Sequence, residues 1–297
     1  MVCILAATDL TEDAADAVRR AAMLVEELAG ELHVLHVQEA PPPRLLASLR
    51  AAFERVEHEG VEHAAAVARA AGVEPHVIER PGSVHREILT HANTVAAELV
   101  VVGSTRLNSL TERVIGSVVS RLLQHGHHPV LVTKLEPERR YRRVLIMIDG
   151  SPASGAALEA ALRLTGDGCE VNILHAYRAP FAGLLHGEAQ QEIDLYLEQE
   201  RENARTKVET FLDAQGRRPD DYRIHLVRTQ SIAAAGLAFI HDREVDLVAT
   251  GTRGNNRLLR SLFGSVSKNL LYHAPCDVLV APPGAAASAP DRDSDPT

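Results

Sequence analysis

The chain of 297 residues repeats itself once. Ser83 and Ser231, Gly103 and Gly251, Gly116 and Gly264, and Val130 and Val278 are each 148 residues apart. Asp9 and Asp149 are 140 apart, and His36 and His175 are 139 apart. One change of offset means two copies of one unit, with the net extra residues of the second copy between its second strand and its third helix. The chain must then fold as two similar domains, 1–136 and 141–283. The stretch Leu135-Glu-Pro-Glu-Arg-Arg-Tyr141 links them. The tail 284–297 is rich in Ala, Pro, Ser and Asp, a composition expected to stay disordered.

Each copy alternates short apolar runs with helical periods. In the first, Cys3–Asp9 reads as a strand ending in a carboxylate. From Thr11 to Ala29, residues Ala14, Ala17, Val18, Ala21, Leu24, Val25 and Leu28 recur at helical spacing, and Gly30 is the expected stop. Leu32–Val37 is a second strand, Pro41–Pro43 a break, and 45–71 a long helix. His76–Glu79 belongs to a third strand, Ser83 caps a helix to Ala96, and Leu99–Gly103 is the fourth strand. Gly116-Ser117 opens a helix, and Pro129–Thr133 is the fifth strand. The second copy offers Val144–Asp149, Cys169–Tyr177, Tyr222–Arg228, Asp246–Thr250 and Cys276–Val280. Strands alternating with helices make a parallel sheet that must be covered on both faces. The expected class is α/β, with two repeated doubly wound domains, each a five-stranded parallel sheet with helices on both faces.

Ligands of such sheets bind outside the carboxyl ends of the strands, where strand order reverses. In the second copy that rule brings together Asp149, Gly251 and Gly264-Ser265. Gly251 and Gly254 lack Cβ atoms, so backbone there can turn sharply and approach a ligand. Ser265 reads as the cap of a helix whose first N–H groups and positive dipole end suit phosphate. Arg253, Arg257, Arg260 and Lys268 lie in this stretch with no Asp or Glu, a local reversal of sign in a chain of net charge −9. A carboxylate at Asp149 can accept from ribose hydroxyls or an adenine amino group, or it can cap the helix that starts at Gly150-Ser151-Pro152.

The spacing Gly251-x-x-Gly254, nine residues, Gly264-Ser265, after a strand and opening a helix, resembles the nucleotide motif of the universal stress protein family, in its ATP-binding branch. The resemblance covers residues 1 to about 283, twice over. It implies ATP, with or without Mg2+, clasped between the first and fourth strands. Asp149 would face the nucleoside, and the backbone at Ala176 would border the adenine pocket. Gly251, Arg253, Gly254, Gly264, Ser265, Val266 and Ser267 would surround the phosphates. The first copy keeps Asp9, Gly103, Gly116 and Ser117 but has Arg106 at the second glycine, with Glu112 in the linker. Arg106 either closes the loop over the phosphates or binds them with its guanidinium. The resemblance further implies a cytoplasmic, adenine-nucleotide-binding regulator of the stress response rather than an enzyme. A slow ATP hydrolase and a dimerisation scaffold without nucleotide are the alternatives. Single-domain relatives pair as homodimers. The two halves should therefore form an intramolecular pseudo-dimer around a pseudo-two-fold, with their apolar fifth strands facing. Whether whole chains associate further as a homodimer stays open.

Other classes are disfavoured. The negative charge argues against nucleic acid and anionic membrane as partners, and aromatics at 3% without Trp leave no stacking platform. No signal peptide or membrane-spanning run is visible. Cys3, Cys169 and Cys276 are far apart and fall in strands, as small buried hydrophobes of a reducing cytosol would. His125-Gly-His127-His128 lacks companion ligands and reads as a solvated loop. A hydrolase should show a positioned base and a cluster of metal-binding carboxylates, and Asp149 stands alone.

Overall fold

The computed structural model describes residues 1–38, 47–106, 113–114, 116–180, 190–252 and 264–284, with backbone alone at 47–54, 105–106 and 113–114. In chain order the first half holds β1 (Cys3–Thr8), α1 (Glu12–Leu28), β2 (Glu31–Gln38), α2 (Ala47–Ala70), β3 (His76–Pro81), α3 (Val84–Thr94) and β4 (Leu99–Gly103). Two very short strands follow, β5 (Thr105–Arg106) and β6 (Arg113–Val114), then α4 (Ser117–His125) and β7 (Val130–Thr133). The second half holds β8 (Arg143–Met147), α5 (Pro152–Arg163), β9 (Glu170–Tyr177), α6 (Gln190–Ala214) and β10 (Arg223–Arg228). It ends with α7 (Ile232–Arg243), β11 (Leu247–Gly251), α8 (Ser265–His273) and β12 (Asp277–Ala281).

The strand order is β3-β2-β1-β4-β7 in one half and β10-β9-β8-β11-β12 in the other, and pairing within each half is parallel. Order reverses beside β1 and beside β8, as in a doubly wound fold. The two sheets are continuous. β7 and β12 pair antiparallel, with Val132 opposite Val278, Leu131 opposite Leu279 and Val130 opposite Val280. Leu279 is the repeat equivalent of Leu131, so the pseudo-two-fold passes through that pair. The fifth strands therefore face each other as their apolar sequences suggest, and their hydrogen bonds fuse two five-stranded sheets into one of ten.

Side-chain alternation along the strands builds one core on each face. Ile4, Ala6 and Ile146 pack with Val18 of α1, Ala68 of α2, Leu158 of α5 and Val208 of α6. Leu5, Leu35 and Leu145 pack with Ile88 of α3, Leu122 of α4, Ile240 of α7 and Leu270 of α8. Each core contains residues of both halves and so crosses the joint. The joint also carries a buried polar group. Asp277 is fully buried and accepts from Lys134 N–H (2.7 Å), Leu135 N–H (2.9 Å) and Tyr141 Oη (2.7 Å), with Arg20 Nε at 3.3 Å. Lys134 Nζ donates to the carbonyls of Leu271 (2.6 Å) and Ala274 (2.8 Å), closing the end of α8. The repeat equivalent of Asp277 is Pro129, so this network belongs to the joint and not to the repeated unit.

Several local expectations are corrected. Ala29, not Gly30, takes the left-handed conformation that ends α1 (φ 48°, ψ 47°). Gly30 is required for another reason: a Cβ there would lie 2.4 Å from the Val2 carbonyl oxygen. Cys169 and Cys276 each precede their strand and only Cys3 lies within one; Cys169 is half-buried, Cys3 and Cys276 are buried, and all three are free thiols. Burial pushes Cys3 and Cys169 up to about 11 and Cys276 up to about 12, so none is a thiolate at neutral pH. His128 is not a solvated loop residue. Its Nδ1 lies 2.7 Å from the Ala97 carbonyl and its Nε2 2.9 Å from Asn93 Oδ1, which fastens the chain after α4 to the end of α3. The tail beyond Gly284 lies outside the described residues.

Candidate nucleotide site

The ends of β1 and β8 carry the same turn. Asp9 Oδ1 accepts from Thr11 N–H at 3.1 Å, and Asp149 Oδ1 accepts from Ser151 N–H at 3.0 Å. Capping itself falls to the next hydroxyls: Thr11 Oγ1 accepts from Ala14 N–H (3.3 Å) and Ser151 Oγ from Ser154 N–H (3.2 Å). Neither aspartate is the helix cap. Each orders the turn ahead of it, and both are exposed at the carboxyl edge of the sheet.

The residue after each aspartate is left-handed, Leu10 at φ 66° and Gly150 at φ 80°. The Leu10 side chain lies over α2, where a Cβ on Gly60 would come within 2.8 Å of Leu10 Cδ1. A Cβ on Gly150 would meet nothing within 4 Å among the described residues. After the aspartate the first half thus carries an aliphatic side chain packed on α2, where the second half carries a glycine. Charge differs too. The first turn of α1 carries Glu12 and Asp13, whereas the first turn of α5 begins Pro152-Ala153 and carries no acid.

At the ends of β2 and β9, His36 and His175 reach across to the preceding strand, each with Nδ1 3.0 Å from a carbonyl, Thr8 O and Ile148 O. A carbonyl only accepts, so Nδ1 carries the proton in both. This pair fixes the last residue before each aspartate. The shared Leu-His dipeptide marks it in the sequence, but only the three-dimensional pairing supplies its role. Ala176 follows His175 on β9 and is half-buried.

Gly251 ends β11 against the start of α5, and a Cβ there would lie 2.7 Å from the Ala153 carbonyl carbon. Gly103 stands the same way to α1, with a Cβ 2.7 Å from the Asp13 carbonyl oxygen. Close helix packing therefore dictates both glycines, whatever ligand they meet. Thr252 N–H donates to Ala281 O (2.9 Å) and its carbonyl accepts from Gly264 N–H (2.8 Å), so the two ends of the basic linker are pinned together. Arg253, Gly254, Arg257, Arg260 and Glu112 lie outside the described residues. Arg106 is on β5, and its backbone pairs antiparallel with Arg113 on β6.

Gly264, not Ser265, is the N-cap of α8 (φ −63°, ψ 141°), and Ser265 is the first helical residue. Gly116 and Ser117 stand in the same relation to α4. The cap must be extended and the next residue helical, and that division falls one residue earlier than the hydroxyl suggests. A glycine cap offers no side-chain acceptor to the first-turn N–H groups of either helix. Ser265 is exposed and Val266 half-buried. Ser267 is buried and its Oγ donates back to the Gly264 carbonyl (3.0 Å), so its hydroxyl braces the turn. Asp149, Gly251 and the start of α8 therefore all lie at the carboxyl ends of the adjacent strands β8 and β11.

A model of the universal stress protein family matches residues 3–134 and again 140–282. A universal stress protein of Mycobacterium tuberculosis is 30% identical over 195 residues, which is 62% of this chain and 62% of that protein, so the match spans less than two thirds of the relative. A universal stress protein of Methanocaldococcus jannaschii is 29% identical over 146 residues, 48% of this chain and 83% of its own length. Among solved structures, a universal stress protein from Archaeoglobus fulgidus superposes with a TM-score of 0.70 at 21% identity, covering 95% of this chain and 98% of its own. A putative one from Pseudomonas aeruginosa gives 0.64 at 17% identity, covering 96% and 95%. Among the described residues no helix is long and apolar enough to cross a membrane. With the family model matched in both halves of one continuous sheet, the chain belongs to the universal stress protein family, as a tandem member.

Proposed function

We propose that the second half binds an adenine nucleotide, ATP with or without Mg2+, and that occupancy regulates the protein in the cytoplasm rather than feeding a reaction. The observation that carries this reading is the pairing of a left-handed glycine turn at Gly150, beside Asp149, with a helix start whose cap residue, Gly264, brings no side-chain acceptor. An anion at such a start meets oriented N–H donors and the positive end of the helix dipole. Asp149 at the same edge supplies an acceptor for the sugar or the base. Ala176 would border the base, and Arg253, Gly254 and the linker between the pinned residues Thr252 and Gly264 would close over the phosphates. The first half offers the same helix start, but Leu10 stands where the second half has Gly150, and Glu12 and Asp13 add negative charge at the edge. Its residues Asp9, Gly103, Arg106, Gly116 and Ser117 therefore form the weaker site.

Calorimetric titration of ATP tests this. The wild type should take one nucleotide per chain with measurable affinity. Gly254→Arg should weaken binding by the loss of at least one charge-assisted hydrogen bond, about 1.5–3 kcal/mol. Ser265→Ala should cost less, because the backbone donors remain. Unchanged affinity and stoichiometry in Gly254→Arg would remove the second-half site. Two equal sites in the wild type would make Arg106 a phosphate ligand and end the asymmetry.

A further inference from the structure

At the opposite edge of the first half, at the amino ends of β2 and β3, four side chains meet. Glu31 and His33 are on β2, His76 on β3 and His91 on α3. Ligand atoms of Glu31, His33 and His76 all lie within 4.8 Å of one another. His33 and His76 are cross-strand neighbours with rings stacked at 4.8 Å between centroids. His91 Nε2 lies 3.2 Å from His33 Nδ1.

The repeat supplies an internal comparison. Glu170 and Asn172 stand where Glu31 and His33 do, and Arg223 is opposite Asn172 as His76 is opposite His33. There the carboxylate has a cation of its own: Arg223 Nη1 lies 2.8 Å from Glu170 Oε1, and Asn172 Nδ2 donates to the same oxygen at 3.1 Å. Phe239 takes the place of His91. In the first half no Lys or Arg among the described residues pairs with Glu31, and imidazoles replace both the guanidinium and the amide. A carboxylate has lost its built-in cation and gained three nitrogen donors.

We propose that Glu31, His33 and His76 form a binding site for a divalent transition-metal cation of the zinc type, with His91 orienting His33. Two imidazoles and one carboxylate are a recurrent zinc set that leaves the fourth position to water. Imidazole donors select zinc-like ions over magnesium and calcium, which prefer oxygen cages. Bonds of about 2.1 Å place tetrahedral ligand atoms roughly 3.4 Å apart, so the side chains need to close by up to about 1.4 Å. If His33 Nδ1 holds the proton and donates to His91 Nε2, the other ring nitrogen of His33 is left for the metal, the usual outer-shell arrangement. His76 is exposed on the edge strand, which gives the ion a path in. The site lies at the amino ends of the strands and the nucleotide residues at the carboxyl ends, so the two are independent.

The test is calorimetric titration of zinc into the full chain in a non-coordinating buffer. The wild type should show one site per chain above any weak surface uptake. His76→Arg places the second-half residue at that position, so the fold is preserved, and zinc affinity should fall at least about a hundredfold. His91→Phe should keep the site but weaken it about 10–100-fold. His241→Ala, exposed on α7 of the second half, should change nothing. Absence of a site in the wild type, or equal affinity in wild type and His76→Arg, would overturn the proposal.

Discussion

Leu10 and Gly150 hold the same left-handed turn in the two halves, and only one of them is free of a side chain. A left-handed backbone costs an ordinary residue about 1–2 kcal/mol. Leu10 offsets that by packing on α2, whereas a Cβ on Gly150 meets none of the described residues within 4 Å. Gly150→Ala should therefore destabilise by about 1 kcal/mol, a backbone cost alone. Gly251→Ala should cost more, about 2–3 kcal/mol, because the new Cβ meets rigid α5 backbone at 2.7 Å. Urea unfolding of the two variants gives the order directly, and the reverse order would contradict the packing role assigned to Gly251. At this scale the sequence was partly legible. The equivalence of Asp9 with Asp149 and of Gly103 with Gly251 follows from the repeat. What Gly251 meets does not, since Ala153 is about a hundred residues away along the chain. The cap moves from Ser265 to Gly264 because both residue types cap helices and only φ and ψ choose between them.

At the scale of elements, the sequence shows periodic strands and helices well and junctions poorly. Asp277 opens β12 with four partners from the first half and the linker, and no repeat signal announces it because Pro129 occupies its equivalent position. Replacing it strands Arg20 and three donors in a dry joint, so Asp277→Ala should cost about 3–5 kcal/mol. Tyr141→Phe removes one bond to the same carboxylate and should cost about 1–3 kcal/mol. Denaturant midpoints distinguish them, and equal small losses would mean that the joint is solvated. Histidines at other junctions make stability depend on pH. Burial, as the leading cause, lowers the pKa of His33, His91, His128 and His225 in the folded chain. As pH falls below about 6.5 the unfolded chain takes up protons that these folded imidazoles resist. Their contribution is full above that pH and is lost as pH falls through the folded values. The melting temperature should drop from pH 7 to pH 5. Combining His33→Asn with His91→Phe, the residues of the second half, should shrink the drop. An unchanged drop in that double variant would assign the acid sensitivity elsewhere.

Across the whole molecule, antiparallel pairing of β7 with β12 inside an otherwise parallel sheet makes the strands of the two halves run in opposite directions. Their carboxyl ends, and with them the two candidate sites, therefore lie at opposite edges of one sheet. The joint is no hinge: strand hydrogen bonds, two cores that pass through it and the buried Asp277 network all cross it. Two domains recognisable in the sequence as separate copies should thus unfold as one. Unfolding enthalpies of roughly 0.7 kcal/mol per residue near 60 °C predict about 200 kcal/mol for the folded part of the chain as a single unit, and about half that for each copy alone. Scanning calorimetry should give one peak whose van't Hoff enthalpy equals the calorimetric one. Two independent copies would give a van't Hoff value near half, even if their peaks overlapped. Nucleotide sharpens the contrast. ATP held by the second half alone stabilises in proportion to the logarithm of its concentration over its dissociation constant. In a single unit that gain moves the entire peak, first half included. If ATP instead splits the peak, raising one component and leaving the other in place, the halves are thermodynamically separate and occupancy of one site cannot be felt at the far edge of the sheet.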